Sequence, residues 1–420
     1  MTCGLLYKSQ EDAWSLLAML LPANQKHALF SVMIAVLGCR FVSHGGTAMP
    51  VSLLHRFGLI LAMAGAAGLV RAESWPTADW TQEPVPPSPA IAELEAYAFP
   101  ARDEANRTGV RTDALLVVRD GRVVYERYVG PTSADTPHLT WSMSKSLLAT
   151  TLGVAYGQGR FQLDAPVARY YPPFARHPGI KVGHLLNWAS GLDWHEDYEY
   201  APLKSSVLAM LYTRGRADMA AFTAAHAAAA EPGTRFRYSS GDSNVLAAAL
   251  KGMVGAEAYA DYPWRALFEP LGITSAVWET DAAGTFVASS YAYLSGRDLA
   301  RIGLLMQRDG RWGEQQVLPP AWVAFNRTPL ANYQPQNAKA GDAVPGGHWW
   351  LNAELPGAAR PWADAPADAF AALGHWGQGL YVLPTEKLVI VRYADDRDAS
   401  FQHNQLLKRV TAAFAREVQP

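Results

Sequence analysis

Ser142-Met143-Ser144-Lys145 is where residue type and spacing first offer chemistry. On a helix, positions i and i+3 share a face with Cβ atoms about 5–6 Å apart, so the Lys145 amine can reach the Ser142 hydroxyl. A serine hydroxyl at neutral pH needs a base beside it before it attacks a carbonyl. A lysine is that base only where burial or a neighbouring cation disfavours its charged form. Residues 139–148 carry one charge, that of Lys145 itself, which suits a buried amine. A helix opening at Ser142 would also aim backbone N–H groups at a developing oxyanion. This is the only S-x-x-K in the chain. The plain alternative is a serine cap followed by a surface lysine.

Two later segments could complete such a site. Tyr238-Ser239-Ser240 follows a turn-rich stretch and precedes a helical pattern, so its phenol can face a cleft. The phenol ordinarily ionises near pH 10, and adjacent cations would lower it. His375-Trp376-Gly377 lies at the start of a strand, in GHWGQG at 374–379, where glycine lets a substrate approach the backbone. Against each stands a plain reading: a core tyrosine among 18, and a strand-end histidine among 11. The acidic and aromatic run 193–200 (DWHEDYEY) is either a cleft wall or a solvated loop.

The elements that must position these residues are legible in outline. Two β-rich runs flank Asp120-Gly121, the strongest short hairpin signal, so 114–128 reads as two antiparallel strands. From 142 to 156 the period is helical, with Leu147, Leu148, Thr151, Leu152 and Ala155 on one face. Helical patterns recur at 182–188, 217–229, 243–254 and 296–309, the last opened by the Ser295-x-x-Asp298 capping pattern. Strand character returns at 348–351, then as a hairpin of 378–383 and 388–393. A closing helix carries Leu406, Leu407, Val410, Phe414 and Val418 on one face. Strands at both ends with helices between them imply an α+β fold. One antiparallel sheet is flanked by terminal helices, and a helical lobe at about 141–335 is inserted into a domain spanning 95–420.

Half the residues are apolar and 18% charged, enough for a large core, and a net charge of -2 gives no basic face for nucleic acid. His55 and Arg56, the apolar run 57–70 and Val70-Arg71-Ala72 read as a secretory signal cut after Ala72. The run is shorter than the roughly 20 residues of a membrane span. A buried helix is the alternative. Met49 could begin such a signal, making 1–48 an upstream extension, and Val36-Leu37-Gly38-Cys39 offers a competing lipid-attachment reading. Residues 73–94, rich in proline and tryptophan, then form an extended arm. Both cysteines, Cys3 and Cys39, precede the cut, so the exported chain has no disulfide and no cysteine nucleophile. Removing 1–72 leaves 31 basic against 36 acidic residues, a net charge of -5. The expected location is periplasmic or secreted.

S-x-x-K, then Y-x-[N/S], then [K/H]-x-G, in that order, resembles the motif set of class C β-lactamases, DD-peptidases (penicillin-binding proteins) and related esterases. Segments 180–192 (IKVGHLLNWASGL), 232–238 (PGTRFRY) and 319–322 (PPAW) resemble the family's surroundings of those motifs. WSMSKS at 141–146, the Ser-Ser-Gly-Asp run 239–242 and GTFVASS at 284–290 look most like 6-aminohexanoate-oligomer hydrolases and β-lactamase-fold carboxylesterases. The resemblance covers about 95–415 and implies a serine hydrolase of small esters or amides. Ser142 would be the nucleophile, with Lys145 and Tyr238 as proton-transfer partners. The backbone N–H groups of Ser142 and Gln378 would form the oxyanion hole, and Ser240, His375 and Gly377 would contact substrate. No metal or organic cofactor is implied, and the partner is a small molecule.

Two departures bear on substrate. Where β-lactam-recognising relatives usually carry lysine, His375 at its ordinary pKa would be only about one quarter charged at pH 7. Where the pattern usually carries asparagine, Ser240 offers a shorter-reaching hydroxyl. Both favour esters or small amides over β-lactams. His375 could instead hydrogen-bond Tyr238. Neither a G-x-S-x-G elbow nor an H-E-x-x-H pair is present. A β-lactamase, a DD-peptidase, or a sensor that acylates without turnover remain the rival functions.

Overall fold

The computed structural model describes residues 74–199, 201–331, 333 and 343–414. The expected signal, the upstream extension, Cys39 and Val418 lie outside the described residues.

Among the described residues, seven strands form one antiparallel sheet. In chain order these are β1 (Thr112–Arg119), β2 (Arg122–Tyr128), β3 (Val344–Pro345), β4 (Trp350–Leu351), β5 (Phe370–Gly374), β6 (Gln378–Leu383) and β7 (Leu388–Ala394). Their order across the sheet is β2-β1-β7-β6-β5-β4-β3. Early and late strands therefore meet at the β1–β7 pair, where Leu116 faces Val391. Asp120 and Gly121 both take positive φ, 52° and 76°, in a two-residue turn that matches the strand twist. The arm before the domain lies along the outer edge of β2, with Glu83 N donating to Val123 O (2.8 Å) and Val85 N to Val124 O (3.1 Å).

Alternation along the strands divides the core between the two faces of the sheet. Leu115, Val117 and Ile390 pack with Ile91 and Leu94 of α1 (Pro89–Ala98) and with the terminal helix. Leu116, Val118, Val389 and Val391 face the larger core with α2 (Met143–Gly157), α3 (Ser240–Val254) and α4 (Gly296–Gln307). The terminal helix is α5 (His403–Phe414), and it buries Leu406, Leu407, Val410 and Phe414 as its periodicity predicts.

Helix α2 differs from the expected amphipathic pattern. Every residue from Met143 to Ala155 is buried, so it is a central helix enclosed on all sides. Thr150 and Thr151 tolerate this because their hydroxyls donate to Ser146 O and Leu147 O one turn back. Trp322 fits against Gly153, where a Cβ would meet its indole at 2.5 Å, and donates to Ala149 O.

Three other expectations shift. The helix expected over 217–229 shortens to Met219–Ala224. Ala229 N and Ala230 N instead donate to Gly191 O, and this pairing overrides the helix propensity of the alanines. Helix α3 begins at Ser240, three residues earlier than expected, capped by the Ser239 hydroxyl accepting from Asp242 N. Ser295 caps α4 through Asp298 N, yet the Asp298 carboxylate turns to Thr274 N, Ser275 N and Ser275 Oγ, so the reciprocal half of a capping box is absent.

Candidate active site

Ser142 sits at the N-terminus of α2, just after Trp141, which is held at φ 49°. A left-handed tryptophan is a strained conformation of the kind kept at functional turns. Ser144 fixes the turn: its hydroxyl bonds Thr140 Oγ1 (2.9 Å) and accepts from Ala292 N (3.1 Å). The Ser142 side chain caps nothing in its helix. Its Oγ instead accepts from Lys145 Nζ at 3.0 Å, as the i, i+3 spacing requires. Lys145 Nζ also donates to Ser289 O (2.8 Å) and lies 4.9 Å from the Tyr238 ring centre. The lysine is 1% exposed, and this desolvation pushes its pKa down to about 8, against the opposing pull of Glu196.

Tyr238 corrects one expectation. Its phenol is raised far above the ordinary value, first by burial and then by Glu196, with only a hydrogen bond from Ser142 acting the other way. The cation next to it does not outweigh desolvation. Tyr238 is therefore a neutral phenol at physiological pH, able to pass a proton between neighbours but not to act as a standing phenolate. Trp188 (4.8 Å) and Trp350 (5.5 Å) pack on its ring.

A cavity of about 490 Å³ opens in front of Ser142. One wall is aromatic, with Tyr333, Phe236, Trp350 and Tyr238 each in ring contact with the next. Another carries Glu196, Tyr198 and His375, so two residues of the acidic and aromatic run line the cleft. His375 stacks on Tyr198 (5.1 Å) and faces Glu199 Oε1 at 3.6 Å; the suggested bond to Tyr238 does not form. Burial lowers the pKa of His375, Glu199 opposes this and Arg397 adds to it. The imidazole is thus an even weaker anchor for an anion than its ordinary pKa implies.

Ser240 and Gly377 occupy places other than those expected. Ser240 is buried at the start of α3 and donates its hydroxyl and its N–H (2.9 Å) to Glu196. Trp194 Nε1 adds a third donor to that carboxylate at 2.5 Å. Ser240 thus holds Glu196 at the cleft wall, and Glu196 takes the cleft-facing position. Gly377, at φ 84°, turns away from the cleft: a Cβ there would meet Asp396 Oδ2 at 2.0 Å. Gln378 is buried at the start of β6, directly after the His375–Gly377 turn.

Sequence reasoning misses His348. It is fully buried, stacks on Trp188 (4.6 Å), and bonds Leu186 O through Nδ1 (2.6 Å) and Ser243 Oγ through Nε2 (2.9 Å). A carbonyl only accepts, so Nδ1 carries the proton and Nε2 accepts from Ser243. Burial drives its pKa down to about 3, with the nearby Lys145 contributing, so it is a neutral spacer beside the amine. No local motif marks it, because its partners come from α3 and from the segment after residue 180.

A Ser–Lys–Tyr cluster at the N-terminus of a central helix, its amine buried and its hydroxyls facing the cavity, beside an antiparallel sheet, defines a serine hydrolase of the penicillin-recognising architecture. The Beta-lactamase family profile matches residues 44–413, and the chain belongs to that family. It is 27% identical over 337 residues to the 6-aminohexanoate-dimer hydrolase of Paenarthrobacter ureafaciens, covering 77% of this chain and 82% of that one. In fold it is similar to a family VIII carboxylesterase (TM-score 0.57, 16% identity, 78% of this chain and 97% of that one). It is equally similar to a penicillin binding protein of Bacillus halodurans (TM-score 0.57, 14% identity, 77% of this chain and all of the other). The expected family, fold and enzyme class are thus found. Among the described residues no helix is long and apolar enough to cross a membrane.

Proposed function

We propose that this hydrolase cleaves esters or small amides through an acyl-enzyme on Ser142. The observation that carries the reading is the dry Lys145 amine 3.0 Å from Ser142 Oγ, with its pKa lowered to about 8. Neutral Lys145 takes the hydroxyl proton as Oγ attacks the carbonyl. Tyr238, a phenol throughout, relays a proton to the leaving alcohol or amine. The tetrahedral oxyanion is bound by the N–H groups of Ser142 and Gln378, each such donor being worth about 3–4 kcal/mol of barrier. Water, deprotonated by the same pair, then releases the acid and restores Ser142.

The aromatic wall of Phe236, Tyr333 and Trp350 suits an apolar half of the substrate, while Glu196 and Glu199 suit a positively charged or hydrogen-bond-donating half. His375 in its neutral form gives little hold on the carboxylate of a β-lactam. Export with cleavage after Ala72 belongs to the same proposal, and N-terminal sequencing of the secreted protein tests it. Intact Met1 in the exported chain would overturn it.

The functional test is hydrolysis of p-nitrophenyl acetate and butyrate beside nitrocefin, with the Ser142→Ala variant as control. Ester turnover that is lost in the variant, with slow nitrocefin cleavage, supports the reading. Dominant nitrocefin cleavage would make the protein a β-lactamase. A stoichiometric burst without turnover would make it a sensor.

A further inference from the structure

Arg392 and Asp396 belong to no motif in the sequence, and neither lines the cleft. Yet Arg392 is fully buried on β7 and Asp396 is 6% exposed just beyond its end. All three guanidinium nitrogens are engaged. Nε donates to Thr112 Oγ1 (3.0 Å), and Nη1 to Asp396 Oδ2 (2.6 Å) and Gly377 O (2.9 Å). Nη2 donates to Asp396 Oδ1 (3.2 Å) and Arg111 O (3.2 Å). The Phe401 ring covers the guanidinium at 3.8 Å. The Asp396 carboxylate also accepts from Arg111 N (2.8 Å), and Asp396 N donates to Trp376 O (3.1 Å).

Both consecutive carbonyls of the His375–Gln378 turn are therefore fixed by this pair: that of Trp376 by Asp396 N and that of Gly377 by Arg392. The turn itself needs two left-handed residues, Trp376 at φ 59° and Gly377 at φ 84°. Such a turn persists only where its surroundings determine it. The glycine is required by the closeness of the ion pair, since a Cβ would sit 2.5 Å from Arg392 Nη1. Gln378 shows where the restraint leads. Main-chain pairing of β6 with β7 runs from Leu383 only to Gly379, opposite Arg392. One residue further on, the Gln378 side chain replaces the main chain, with Nε2 donating to Ala394 O and Oε1 accepting from Ala394 N (2.9 Å). The link to β7 at this position is therefore carried by the Gln378 side chain and not by its peptide group.

We propose that Arg392 and Asp396 are positioning residues for the oxyanion-binding turn: by holding the Trp376 and Gly377 carbonyls they aim the Gln378 N–H at the reacting carbonyl. This rests on the assignment of Gln378 N–H as an oxyanion donor in the proposed function. An oxyanion donor acts on the transition state more than on bound substrate, so a slackened turn lowers kcat and leaves KM nearly unchanged.

The test compares Arg392→Met, Asp396→Leu, the double variant and Gly377→Ala with the full-length enzyme on p-nitrophenyl butyrate, with a thermal melt of each. A single variant leaves one buried charge unpaired and is expected to melt early, whereas the double variant removes both charges and regains stability. If the pair positions the turn, the regained fold does not bring back activity. The double variant then shows kcat down by about thirtyfold or more, part of the 10²–10³ associated with losing a whole donor, with KM within about threefold. Gly377→Ala, which displaces the turn and keeps both charges, gives the same split, and it carries the test alone if the double variant does not fold. A folded double variant or Gly377→Ala enzyme with wild-type kcat would overturn the proposal, as would a loss confined to KM. Ser142→Ala, assayed alongside, separates this failure from failure of the underlying reading: activity in Ser142→Ala would remove the serine mechanism itself.

Discussion

The protonation state of Lys145 makes the sharpest quantitative claim. Burial moves its pKa from 10.5 to about 8, which corresponds to about 3 kcal/mol in favour of the neutral amine. Because the base is the deprotonated form, activity must rise with pH. With a pKa of about 8, roughly one molecule in eleven is competent at pH 7 and about one in a hundred at pH 6. The kcat/KM for p-nitrophenyl butyrate is therefore expected to fall about tenfold from pH 7 to pH 6, rise about fivefold from pH 7 to pH 8, and level off above pH 9. Tyr238, raised far above its ordinary value, adds no inflection in this range. Glu196 favours the charged amine, so Glu196→Gln shifts the rise to lower pH. Lys145→Arg, permanently cationic, loses about 10²–10⁴ of the plateau rate above pH 9 and no longer shows the rise with pH. A flat profile between pH 6 and 9, or a Lys145→Arg enzyme within about tenfold of wild type, would refute the assignment of Lys145 as base.

Other perturbations have equally definite outcomes. His375→Lys places a permanent cation in the cleft and is expected to raise nitrocefin cleavage at least about tenfold while changing acetate ester hydrolysis less; unchanged nitrocefin rates would show that the cation is not what limits β-lactam recognition. His348→Ala strips a partner from the buried Ser243 hydroxyl and Leu186 carbonyl and opens a cavity beside Lys145, lowering stability by about 2–4 kcal/mol in urea unfolding. A loss below about 1 kcal/mol would mean that water replaces the imidazole without cost. Trp350→Ala removes part of the aromatic wall, so KM rises more for the butyrate than for the acetate ester, by about tenfold in ratio. An equal rise for both would remove the acyl chain from that wall.

The parts of this site legible in the sequence are those governed by local geometry. The Ser142–Lys145 contact follows from helical spacing, and the Asp120-Gly121 turn from the backbone twist two left-handed residues impose. The strand hairpin at 378–393 and the closing helix follow from periods of two and 3.6. What escapes is set by tertiary partners. The short strand Phe370–Gly374 is rich in alanine and lacks a β-branched residue, so it pairs only because β6 and β4 flank it. Motif order places Ser240 as a substrate contact, but the carboxylate that claims its hydroxyl, Glu196, lies 44 residues away in sequence. Tyr238 titrates in the direction opposite to expectation because counting nearby cations ignores the cost of burial. His348, Arg392 and Asp396 carry no motif, and their importance lies wholly in what the fold brings against them.

A covalent intermediate on Ser142 is open to direct observation by acid-quenched mass spectrometry. Enzyme mixed with p-nitrophenyl butyrate and quenched during turnover is digested and mapped. One butyryl group is expected on the peptide carrying Ser142, and neither adduct nor turnover in Ser142→Ala. Turnover in that variant, or an acyl group on any other residue during turnover, would contradict it.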